Sequence, residues 1–138
     1  MQLTAYLGFD GNCEAAFKFY AQCLGGKIEG MQSFGETPAC DHVPADHRHK
    51  IMHARLVVGD QVLMGSDSLP GHPYEGVKGC HVAIGVTDPA EAERIFQTLS
   101  ANGTVQMPLQ ETFWATRFGM VVDRFGVPWM VNAQRAGF

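Results

Sequence analysis

The chain has 138 residues, 46% of them hydrophobic and 17% charged, which is the size and composition of one globular domain able to bury a core without disulfide or metal staples. A formal net charge of −4 with no cluster of Lys and Arg argues against a nucleic-acid partner, because nothing offers a sustained positive face to a phosphate backbone. No apolar run approaches the ~18 residues of a membrane span, and the first twenty residues lack a basic and then apolar leader, so a cytoplasmic protein with no membrane partner is expected.

Residues 5–26, AYLGFDGNCEAAFKFYAQCLGG, read as a short strand and a helix. Asn12 stands at the cap, Ala16, Phe17, Tyr20 and Leu24 recur at helical spacing, and Gly25-Gly26 supplies a left-handed stop. The stretch 35–50, GETPACDHVPADHRHK, is polar and broken by prolines, and predicts a long loop. Residues 53–67, HARLVVGDQVLMGSD, read as two strands turning at Gly59-Asp60. Beyond a linker at 68–79, HVAIGVT (81–87) is an alternating, β-branched strand, and DPAEAERIFQTLSANG opens a helix with Asp88 at the cap, Pro89 first and Glu91 third. Ala92, Ile95, Phe96 and Leu99 form its buried stripe, and Asn102-Gly103 ends it. Residues 117–133, RFGMVVDRFGVPWMVNA, predict a last hairpin turning between Asp123 and Gly126. In it Pro128 suits a strand start or an edge, and Phe118, Met120, Val122, Trp129 and Val131 are candidate core.

The two halves repeat. Setting Asn12 on Asp88 shifts them by 76 positions and also sets Ala5 on His81 and Tyr20 on Phe96, while Met64 meets Met130 at a shift of 66. The first half therefore carries about ten extra residues in the 35–50 stretch. The fold class is α+β: a single domain of two βαβββ modules, 1–67 and 80–138. Neither has enough surface to build a core alone, so the modules pack as a pair or exchange between chains. No disulfide is expected from four cysteines that lack a CxxC pair.

Tandem βαβββ modules resemble the vicinal oxygen chelate superfamily, which holds glyoxalase I, the extradiol dioxygenases and the bleomycin and fosfomycin resistance proteins. Within it, YLGFDGNCEAAFKFYAQCLGG, KIMHARLVVGDQVLMGSD and ETFWATRFGMVVDRFGVPWMVN are similar to the PhnB-like branch, often labelled as a 3-demethylubiquinone-9 3-methyltransferase domain. The resemblance implies a cupped mixed sheet around a concave pocket, a homodimer, and metal ligands on the first and last strands of each module. Those positions fall on Ala5, near Met64, on His81 and near Met130, and of these residues only His81 suits a divalent cation. The expectation is therefore no metal and no cofactor. The alternative is a divalent metal in a shifted site around His81, with His53, Glu111 or the loop histidines, serving a lyase, isomerase, transferase or dioxygenase. The methyltransferase label finds no glycine-rich cofactor loop to support it.

The candidate ligand-binding residues are His53, Arg55, Met64, His81, Glu111, Trp114, Met130 and Asn132. By the period of two, His53 and Arg55 oppose Ala54, Leu56 and Val58, and face either a pocket, where they orient an anionic or carbonyl-bearing ligand, or a dimer seam, where they pair with carboxylates. Arg117 stands similarly against Phe118, Met120 and Val122. His81 opposes Val82, Ile84 and Val86, and is either a ligand contact or a histidine satisfied by a neighbouring carbonyl. Glu111 and Trp114 sit in a loop as a functional pair, unless Trp114 caps the core or fills a subunit interface. Leu7 and Phe9, with Met64, Met130 and Trp114, complete an apolar lining for a small-molecule ligand. Cys40, Asp41, His42, Asp46, His47 and His49 match no closed zinc spacing. No Gly-x-Ser-x-Gly elbow or activated cysteine marks a nucleophile, so the catalytic residues are unknown.

Overall fold

The computed structural model describes residues 1–137, the side chain of Ala39 excepted. The chain divides into two compact units, Met1–Gly76 and Val77–Phe138.

In the first unit, β1 (Tyr6–Phe9), α1 (Cys13–Leu24), β2 (Lys27–Ser33), β3 (Ile51–Val58) and β4 (Gln61–Asp67) form a four-stranded sheet in the order β1-β4-β3-β2. β1 runs parallel to β4, and the other pairings are antiparallel. The parallel pair is possible because α1 carries the chain from one edge of the sheet back across it. Leu7, Phe9, Ala54, Leu56 and Leu63 are buried on the sheet, and Ala16, Phe17 and Tyr20 on α1. The rings of Phe9 and Phe17 meet edge to face at 5.9 Å. Gly65 lets the helix settle closely: a Cβ there would lie 2.8 Å from the Phe17 ring and from the Leu7 carbonyl oxygen. The half-turn left-handed stop is at Gly25, with φ +70°.

In the second unit, β5 (Val82–Val86), α2 (Pro89–Ser100), β6 (Thr104–Gln110), β7 (Ala115–Val122) and β8 (Pro128–Gln134) repeat the arrangement in the order β5-β8-β7-β6, again with one parallel pair. The chain is thus two βαβββ modules, as the repeat predicts. Ala92, Ile95, Phe96 and Leu99 are the buried stripe of α2. Asp88 caps the helix by accepting from the Ala90 amide at 3.0 Å, and Pro128 opens β8.

The structure corrects several sequence expectations. On β7 the helix-facing residues are Gly119 and Val121, not Phe118, Met120 and Val122. The side chain of Arg117 reaches Glu93 of α2, and a Cβ on Gly119 would come within 2.6 Å of the Phe96 ring. Trp129 and Val131 pair with Val121 and Gly119 and are core, and Phe118 is buried as expected, but on the opposite face, where Met120 and Val122 are only half-buried. A one-residue error in strand parity exchanges the two faces, and a glycine at the core position hid the correct choice. Leu7 and Phe9 belong to the helix side and line no open face. On α1, Cys23 takes the buried place expected of Leu24. The Asn12 side chain makes no capping bond, and its Oδ1 is buried with no partner among the described residues. The long loop expected at 35–50 does join β2 to β3, and it contains short 3-10 turns at Phe34–Glu36, Pro38–His42 and Ala45–His47. Phe34 and Val43 anchor it by burial, and the Arg48 carbonyl accepts from Gly35 at 2.9 Å.

The repeat shift also needs adjustment. Tyr6 pairs with Met64 where Ala83 pairs with Met130, a shift of 77 in the strands against 76 at the helix caps. The connection before α1 is one residue longer, Asp10 to Asn12 against Thr87 and Asp88. Ala5 therefore corresponds to Val82, and the residue equivalent to His81 is Thr4.

Candidate functional site

Each sheet turns one face to its own helix, and the other, distal face collects most of the candidate residues. In the first unit, pairing sets Tyr6, Met64 and Arg55 side by side on β1, β4 and β3, with His53 two residues along β3 on the same face. The Tyr6 hydroxyl and His53 Nδ1 are 3.0 Å apart, and the two rings stack with centroids at 5.7 Å and planes 25° apart. Arg55 Nη1 donates to Glu29 Oε1 at 2.6 Å. Glu29 lies at a β-bulge between Ile28 and Gly30, which re-aims its side chain toward the arginine. Both partners keep contact with solvent, 36% of the Arg55 side chain and 45% of that of Glu29, so this pair contributes little to stability.

In the second unit the row equivalent to Tyr6-Met64-Arg55 is Ala83-Met130-Met120, and the neighbouring row is Gly85-Asn132-Phe118. Asn132 Oδ1 is buried with no hydrogen-bond partner among the described residues. The Trp114 ring lies against Phe118 at 5.3 Å and Phe113 at 4.8 Å. His81, on the distal face just before β5, donates from Nε2 to Gln106 Oε1 at 3.3 Å. Two strands separate β5 from β6, and a flat sheet would hold them about 14 Å apart, so this contact means that the unit's sheet curls toward its distal side.

The structure thus gathers His53, Arg55 and Met64 on one face, and Met130, Asn132, His81 and Trp114 around the other. Glu111 does not join Trp114. It is exposed and pairs with Arg135 at 3.3 Å, and Arg135 also holds the Thr112 carbonyl. Arg117 turns to the helix side. Tyr6, Glu29 and Gln106 complete these groups and were missed. The parity of Tyr6 against Leu7 is a sequence signal, but bulges place Glu29 and Gln106 beside their partners, and a bulge leaves no local pattern.

Metal chemistry finds little to hold it. Among the described residues no group of three or more His, Cys, Asp and Glu side chains is placed to hold a metal ion. Met64 and Met130, near the last-strand positions that the resemblance implies, are thioethers, and beside Met64 stands a cationic guanidinium. These residues do not fit a divalent centre of the kind the fold is known for. Nor is Cys13 a nucleophile: burial, then the nearby charges of Asp67 and Glu14, push its thiol up to about 12.

Residues 3–131 match the Glyoxalase/Bleomycin resistance protein/Dioxygenase superfamily. The chain belongs to this superfamily. It is 36% identical to Protein YjdN of Escherichia coli (strain K12) over 140 residues, covering 96% of this chain and 95% of that protein. Among solved structures it is similar to protein PA1353 from Pseudomonas aeruginosa, with 56% identity, a TM-score of 0.89 and 96% of each chain covered. A PhnB protein from Bacillus cereus, described as a 3-demethylubiquinone-9 3-methyltransferase, shares the fold at 22% identity and a TM-score of 0.80, with 96% of this chain and 98% of that one covered. The superfamily's α+β fold and the PhnB-like likeness read from the sequence therefore both stand.

Proposed function

We propose that this superfamily member is a small-molecule-binding protein that works without a bound metal. The observation that carries the reading is the composition of the distal faces. Thioethers and aromatic rings (Met64, Met120, Met130, Phe118, Trp114) alternate with a few oriented polar groups, including an Asn132 oxygen that has no hydrogen-bond partner among the described residues. Adaptable apolar surface with sparse convergent polar groups is what holds a partly polar organic ligand. In the same reading the protein is a cytoplasmic homodimer. Leu3, Val105 and Phe113 remain exposed in the single chain, and outer strands such as β2 and β6 offer edges for association.

The test is thermal melting of metal-stripped protein against a panel of aromatic and aliphatic small molecules. A ligand at a hundredfold excess over its Kd raises the melting temperature by on the order of 10 °C. That rise is expected without added metal, and Met130→Gln is expected to reduce it. Binding that appears only with about one divalent ion per chain would instead support the metal-dependent lyase, isomerase, transferase or dioxygenase reading around His81.

A further inference from the structure

The two sheets are built to one pattern, yet their distal faces carry opposite chemistry at equivalent positions. Superposing the Met64 and Met130 registers sets Arg55 on Met120, His53 on Phe118 and Tyr6 on Ala83. The second unit shows that apolar residues satisfy this architecture, so the sheet does not require an arginine, a histidine and a tyrosine on the first. We propose that the distal face of the first unit is a recognition site for an organic carboxylate, with Arg55 reading the carboxylate and the Tyr6–His53 pair reading a second oxygen. This deepens the small-molecule-binding reading and rests on it.

The hydrogen-bond inventory supports the assignment. Arg55 presents five N–H groups and gives Glu29 a bond from Nη1 only. The side of its fork made by Nε and Nη2 has no partner among the described residues, and that side matches the two oxygens of a carboxylate. Glu29 is a solvent-exposed partner, which an incoming anion can share or displace at small cost. The Tyr6–His53 bond uses one proton of the two that a phenol and a neutral imidazole carry. If Tyr6 donates to Nδ1, His53 Nε2–H is left to donate; if Nδ1–H donates, the Tyr6 hydroxyl is left. Either tautomer leaves one donor for a ligand oxygen. His53 and Arg55 are two residues apart on a strand, so the donors are separated by about 6.6 Å along the backbone. Met64 lies between Tyr6 and Arg55 as an apolar floor. The site thus suits a short apolar acid with a carbonyl or hydroxyl several bonds from its carboxylate.

The experiment uses the full chain and two isosteric probes, 3-(4-hydroxyphenyl)propionate and its neutral amide, followed by amide chemical-shift titration at low salt and by calorimetry. The acid is expected to bind about tenfold or more tightly than the amide and to shift resonances around Arg55, His53 and Tyr6. Arg55→Met and His53→Phe install the residues that the second unit already carries at the equivalent positions. Arg55→Met is expected to abolish the preference for the acid, and Glu29→Gln, which removes the competing carboxylate, to strengthen it several-fold. Equal binding of acid and amide, an Arg55→Met variant that keeps the preference, or shifts confined to the Met130 face would overturn the carboxylate assignment while leaving a ligand-binding protein. If no probe of the pair and no member of the melting panel binds at all, both readings fall together.

Discussion

Asp67 and Asp123 are the two buried carboxylates among the described residues, and each ties separate backbone segments together. Asp123 accepts from the amides of Phe125 and Val127 and from Trp129 Nε1 at 2.8 to 3.0 Å, fixing the β7–β8 turn to the largest buried ring. Asp67 accepts from Gly11, Cys13 and Ile51, joining the start of α1 to β3 and β4. Truncation leaves three donors unsatisfied in either case, so Asp123→Ala and Asp67→Ala are each expected to cost about 3 kcal/mol or more in urea unfolding. Cys13 beside Asp67 gives a pH prediction. Its thiol ionises at the ordinary value of 9.0 in the open chain and is pushed up to about 12 when folded, so the folded state retains a proton that the unfolded state loses. The stability this contributes is whole below about pH 9 and declines as pH climbs from there toward about 12. Urea melts at about pH 8 and about pH 10.5 should show a shallower decline in Cys13→Ala than in the parent chain. Equal declines would show that Cys13 plays no part.

At the scale of elements, the two helices share a grammar but not a mechanism. Asp88 closes a capping bond to Ala90, whereas Asn12 makes none and buries an unpartnered oxygen. Asp88→Ala is expected to cost about 1 kcal/mol, and Asn12→Ala to be neutral or slightly stabilising, with urea midpoints as the measure. Helix positions and hairpin turns were legible because their signals are local: caps, left-handed glycines and a 3.6-residue stripe. Strand faces were legible on β3, where His53 and Arg55 alternate with Ala54 and Leu56, and on β5, where Val82, Ile84 and Val86 alternate with the small Ala83 and Gly85. They were illegible on β7, where Gly119 holds a core position because the Phe96 ring fills the space a side chain would take. A pattern reader counts such a glycine as a gap, and the larger neighbours then take its place in the count.

For the molecule as a whole, the proposed dimer predicts a mass near twice 15.1 kDa in solution, measurable by light scattering at micromolar concentration, and a mass of one chain would refute it. The chain's own order of residues was enough to establish a duplicated βαβββ plan, because caps and a repeated hydrophobic period act over a few residues at a time, and three of its segments carried the resemblance to the superfamily that the match over residues 3–131 then showed. It was also enough to put His53 opposite Ala54 and His81 opposite Val82. Which side chains meet across a sheet depended on strand pairing. The Tyr6–His53 stack, the Arg55–Glu29 pair and the His81–Gln106 bond join residues 47, 26 and 25 positions apart, through registers set by bulges and by sheet curl. Those are long-range consequences of folding, and no local pattern encodes them.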